Sequence, residues 1–126
     1  MASRPKSLTQ TQKDVDSEVF DLAHLSRYTM SCADLEREIV QLFLVQLPET
    51  IGMIRQTADR QAWRLATHSL KGSAASVGAR QINRLAAELE SLDFDADPKS
   101  RARLVAALDV AIAEFQAVAL SLYPSS

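Results

Sequence analysis

The residues with the clearest capacity for chemistry stand together mid-chain: His68, Lys71 and Gly72, with Arg64 four positions before the histidine. On a helix, positions i, i+3 and i+4 share a face. This spacing therefore gathers an imidazole, an ammonium and the gap left by an absent side chain, with a guanidinium one turn earlier. An exposed imidazole has a reference pKa of about 6.5 and is mostly neutral near pH 7. It is then a nucleophile without a neighbouring base. The flanking cations suit an anionic group carried on its ring.

The surrounding apolar residues say which way the histidine points. Trp63, Ala66, Leu70, Ala74 and Val77 recur at the spacing of a buried helical stripe. His68 lies two residues from both Ala66 and Leu70, about 200° away around a helix, so it is expected to face water. Gly72 inside the same helix costs roughly 1 kcal/mol relative to alanine. A weak spot beside an incidental surface histidine would account for these features taken singly.

Their order carries more. His68-Ser-Leu-Lys-Gly72, followed by Gly78-Ala79, resembles the signature of histidine-containing phosphotransfer (HPt) domains, the phosphate relays of two-component signalling. The pattern extends over residues 17 to 122. The resemblance implies that His68 is the phosphorylated residue, with Lys71 and Gly72 as its companions. It implies partners as well: response-regulator receiver domains and a hybrid histidine kinase. A receiver would supply the aspartyl phosphate, the Mg²⁺ and most of the transition-state stabilisation. The chain itself would need no cofactor and act as a phosphocarrier, without kinase or ATPase activity of its own.

Composition agrees with a helical, single-domain protein. The chain has 126 residues, 47% of them apolar, and only three glycines and four prolines. Its net charge of −2 argues against general nucleic-acid affinity. One cysteine, Cys32, fits a reducing compartment and a cytoplasmic location. No apolar run reaches the roughly 20 residues that span a bilayer, and the N-terminus lacks a secretory signal's apolar segment. There is no nucleotide-binding glycine loop, and the two histidines and one cysteine are too dispersed for a metal site.

Along the chain, residues 1 to 16 read as a flexible polar tail, and 17 to 123 as the folded domain. A short helix is expected from Asp21, with Leu22, Ala23 and Leu25 inward. Ser31 to Asp34 resembles a capping box that opens a long helix. Its inward positions are Leu35, Ile39, Leu42, Phe43, Leu47, Ile51, Ile54 and Ala58, with Val45 an outward exception and Pro48 as a kink rather than a break. Asp59 caps a helix over 60–77, and Gly78 ends it in the left-handed conformation. Helices over 79–92 and from Pro98 to about Leu122 follow, the latter capped by Asp97.

Four long amphipathic helices with short links predict an all-α, antiparallel up-down four-helix bundle with a short additional N-terminal helix. Such a bundle has no cleft, so the site must lie on its outer wall. Residues equidistant from the turn near Asp59 should lie side by side, which places Gly52 at the level of His68. Gly52 and Gly72 would then leave space for an approaching partner, and Leu65, Ser69 and Ala75 would form a docking patch. The expected particle is a monomer that binds neither membrane nor DNA. Other readings compete, among them the dimerisation domain of a histidine kinase, which also presents a helical histidine but against which the missing ATP-binding region counts. Helix 60–77 with an Arg80- and Arg84-bearing successor could imitate a DNA-binding helix-turn-helix, against which Glu88 and Glu90 count. A docking bundle without phosphotransfer chemistry would share the same pattern.

Overall fold

The computed structural model describes residues 16–124 apart from Asp93 and Ala96. The tail expected over residues 1 to 16 lies, Asp16 excepted, outside the described residues. These form five helices and no strand: α1 (Leu22–Thr29), α2 (Ala33–Gln56), α3 (Arg60–Val77), α4 (Arg80–Ser91) and α5 (Pro98–Leu122).

Local chemistry explains most of the boundaries. Asp21, Asp59 and Asp97 each accept a hydrogen bond from a backbone N–H of the turn that follows, at His24, Gln61 and Lys99. Pro98 then occupies the first position of α5, where its missing N–H costs nothing. Pro48 lies inside α2 without ending it. It stands on the exposed side, where a lost backbone bond is least costly. Gly78 closes α3 at φ 88°, in the left-handed region.

The four long helices run antiparallel in sequence around one core. Trp63, Ile54, Ile82, Leu89, Leu108 and Phe115 are all but inaccessible. Phe115 meets Phe43 edge-on at 5.4 Å and Phe20 at 5.0 Å, which joins α5 to α2 and to the segment ahead of α1. Arg101 of α5 lies over the Trp63 ring at 4.2 Å and donates to the carbonyls of Ile54 and Thr57. It thereby closes the C-terminal end of α2, whose last carbonyls have no partner within the helix.

Several expected details are different. Ser31 is not a cap: it has φ 63°, and Cys32 holds the N-cap position with no side-chain bond. The turn from α1 into α2 uses Met30 and Ser31 in left-handed conformations, and the Ser31 N–H bonds back to Ser26. Leu35 (41% exposed) and Leu42 (62%) face solvent, and Ala23 and Ala58 are exposed as well. The acid Glu36 is buried instead of its neighbour Leu35. Its two oxygens accept from Thr29 Oγ1 at 2.9 Å and Tyr123 Oη at 3.2 Å, so the buried carboxylate is satisfied. Burial, and then the Glu36 charge and hydrogen bond, push the Tyr123 phenol well above its ordinary pKa and keep it a donor. α5 also passes the length and hydropathy test for a membrane span, contrary to the sequence-based expectation. Its inner stripe of Leu108, Ala111, Phe115 and Ala119 is the bundle's core.

The glycines give a direct test of the fold. A Cβ on Gly78 would lie 2.6 Å from the Asp21 carbonyl oxygen, whereas Gly52 and Gly72 look onto open space. Gly78→Ala should destabilise the chain by about 2 kcal/mol or more, from left-handed strain and the clash together. Gly72→Ala should be neutral or stabilising by up to about 1 kcal/mol. Urea unfolding of the two variants checks this, and equal midpoints would contradict the assigned corner.

Candidate functional site

His68 projects from the solvent side of α3 with 71% of its side chain exposed. The residue before it, Thr67, is buried, with its hydroxyl donating to the Trp63 and Arg64 carbonyls. Leu70, two residues on, is also in the core. These anchors fix the phase of the helix and so hold the imidazole outward.

One carboxylate organises the ring. Glu90 of α4 places Oε2 at 2.7 Å from His68 Nδ1 and Oε1 at 2.6 Å from Lys71 Nζ. Asn83, two turns earlier on α4, donates to the Lys71 carbonyl at 2.8 Å and ties the same stretch of the two helices together. The hydrogen bond from Lys71, and then that from His68, hold the Glu90 carboxyl below its ordinary range, against a smaller opposing effect of burial. An ionised carboxylate only accepts. Nδ1 is therefore the donor of this contact, and in the neutral ring the lone pair falls on Nε2. An imidazole anchored through Nδ1 to a carboxylate, with most of its side chain in solvent, is the chemical content of the site.

Most of the residues named from the sequence gather here. Lys71 is a half-buried partner of the carboxylate, and Gly72 leaves the surface beside the ring bare. Leu65 (66% exposed), Ser69 and Ala75 are on the outer wall of α3. Arg64 is exposed one turn before His68. The surface is not featureless: an open groove of about 650 Å³ runs beside the histidine, lined by Asp59, Arg60, Gln61, Arg64, Leu65, His68 and Glu90. Gly78 ends the helix as expected.

Gly52 is not brought to the site. It lies one turn before Arg55, whose ion pair with Asp109 marks the flank of α2 that faces α5. His68 turns toward α4, as its bond to Glu90 shows. Equal distance from a turn sets the level of two residues but not their direction around each helix, and here the directions diverge.

Glu90, which contacts both His68 and Lys71, is the residue of the candidate site that sequence reasoning missed. The signal was present: His68 and Glu90 are equidistant from Ala79, at the corner between α3 and α4. The arginines that suggested DNA contact are engaged within the fold. Arg84 pairs with Glu18, and Arg80 with Glu18 at 3.5 Å and Asp21 at 4.0 Å.

Comparison with known proteins agrees with this geometry. No curated protein and no solved structure matches the chain. The family model described as "Hpt domain" matches residues 38–118, which include His68, Lys71, Gly72 and Glu90. With that match over most of its length, and with an all-helical bundle presenting a solvent-facing histidine, the chain belongs to the Hpt domain family, the phosphocarriers of two-component signalling.

Proposed function

We propose that His68 relays a phosphoryl group between receiver-domain aspartates by accepting it on Nε2. The observation that carries this reading is the hydrogen bond from Nδ1 to Glu90, which leaves the solvent-facing nitrogen as the nucleophile. In the accepting step, the Nε2 lone pair attacks the phosphorus of an aspartyl phosphate on the partner. The Nε2–P bond forms, the acyl P–O bond breaks, and its electron pair returns to the partner's aspartate. The Nδ1 proton stays on the ring, against Glu90.

The chain's own contribution is binding and orientation. Leu65, Gly72 and Ala75 offer an uncrowded, largely apolar wall on which a receiver can settle, with its acidic site and Mg²⁺ over His68. A hybrid histidine kinase feeds the relay through its receiver. The carrier works as a cytoplasmic monomer and needs no cofactor of its own.

Incubation with a phosphorylated receiver tests the reading. The chain should take up acid-labile, alkali-stable label, and His68→Gln should take up none. Lys71→Ala should slow transfer only a few-fold, since an exposed ion pair is worth at most about 1 kcal/mol. Labelling of a folded His68→Gln protein would refute the assignment, and so would an unlabelled wild type. A docking bundle without chemistry predicts that last result.

The Glu90 bridge carries its own pH signature. Its folded pKa lies below the ordinary value of 4.5, so its stabilisation is present above that value and is lost as pH falls through the depressed one. Glu90→Gln should cost up to about 1 kcal/mol at pH 7. The gap from wild type should begin to narrow as pH falls below the ordinary 4.5 and go on narrowing toward the depressed value, in thermal melts taken across that window. A gap that stays constant down to pH 3, taken as roughly the lower edge of carboxylate titration, would exclude the bridge.

A further inference from the structure

We infer that Arg64, rather than Lys71, is the cation that holds the phosphoryl group carried on His68. This rests on the phosphotransfer reading above and assigns the phosphate's partner within it.

The argument begins with what Lys71 is already doing. Its ammonium lies 2.6 Å from Glu90 Oε1, and the same carboxylate holds His68 Nδ1. Lys71 therefore serves the edge of the ring that carries the proton, away from the nitrogen that reacts. Turning it to a phosphate on Nε2 would break a charge-assisted hydrogen bond and leave Glu90 ionised beside a second anion.

Charge balance leads to the same residue. Once phosphorylated with Nδ1 still protonated, the site holds the phosphoryl group at up to about two negative charges and the Glu90 carboxylate, against one positive charge on the ring. Lys71 offsets Glu90, the ring offsets part of the phosphoryl charge, and the remaining negative charge calls for another cation. Arg60 also lines the groove, but it is paired with Asp95. Arg64 is exposed, lines the groove with His68 and Glu90, and its guanidinium has no ion pair or hydrogen bond among the described residues. At i−4 it shares His68's face of α3, with about 6 Å between the Cβ atoms of such a pair, within reach of an arginine side chain. Its planar fork can donate two hydrogen bonds to phosphoryl oxygens, which an ammonium cannot match in geometry.

In the step itself, Nε2 bonds to phosphorus while the receiver's acyl P–O bond breaks toward its aspartate. Arg64 donates to two of the transferring oxygens, and the Nδ1 proton stays against Glu90. No proton leaves the ring, and no co-reactant is needed beyond the receiver's aspartyl phosphate.

The test is receiver-to-carrier transfer, followed as rate and as phosphohistidine lifetime, for wild type, R64A, R64K, K71A, E90Q and the R64A/E90Q double variant. Circular dichroism melts confirm that each is folded. R64A should slow transfer about tenfold, more than K71A does, and R64K should recover only part of the loss, because an ammonium restores the charge but not the fork. In the E90Q background Lys71 is released, so removing Arg64 should cost distinctly less. Raising the salt concentration should slow wild type more than R64A. Wild-type transfer by R64A, or an R64A loss just as large in E90Q as in wild type, would overturn the assignment while leaving His68 as the acceptor. An unlabelled wild type would overturn both.

Discussion

The site depends on one residue held in the left-handed conformation at the corner between α3 and α4. Gly78 sits at φ 88°, and Ala79 returns its N–H to the Ala74 carbonyl at 2.8 Å, so the chain reverses within two residues. The Gly78 carbonyl accepts from the Asp21 N–H at 2.7 Å, and Glu18 accepts from Gln81 at 2.7 Å, which pins the lead-in segment on the same corner. A reversal this short admits one register between the two helices. Each residue added to the corner would rotate α4 by about 100° and shift it about 1.5 Å, enough to move the Glu90 carboxylate out of reach of the ring. A backbone angle some ten residues away thus decides which imidazole nitrogen holds the proton.

The helices themselves were largely legible. Side-chain caps at Asp59 and Asp97, the glycine at 78 and the apolar stripe of α3 are local features, and local physics settles them. What was not legible lay between elements. In α2 the chain presents Leu35, Glu36, Ile39, Val40, Leu42 and Phe43, which offers two adjacent stripes of helical spacing. Hydropathy alone favours the stripe through Leu35 and Leu42. The fold takes the one through Glu36, Val40 and Phe43, because Thr29 of the preceding helix and Tyr123 at the far end of the bundle's last helix satisfy the acid. Once those two hydroxyls are in place, burying the carboxylate no longer costs an unmet hydrogen bond. No window on α2 contains that information.

The candidate site divides in the same way. The exposure of His68 follows from the phase of its own helix and was readable as such. Glu90 was read only as a charge unfavourable to DNA, because its role exists only across the α3–α4 seam. Gly52 shows the converse: spacing gives its level and an outward direction on its own helix, but not which neighbouring helix that direction faces. A bundle is specified by both, and sequence spacing supplies only the first.

An exposed nucleophile has a cost that the Glu90 bridge answers. A histidine free in water samples several rotamers and both neutral tautomers, and most of these present the wrong nitrogen to a docked partner. Burying the ring would solve that at the expense of access. Holding Nδ1 at 2.7 Å from a carboxylate, itself held by Lys71 and by the helix that Asn83 fastens, selects one tautomer and one ring orientation while 71% of the side chain stays in solvent. Ordering that would otherwise be required at each encounter is done in advance. The arrangement suits a carrier that must both accept and give up its cargo, because it orients the reacting nitrogen without enclosing it.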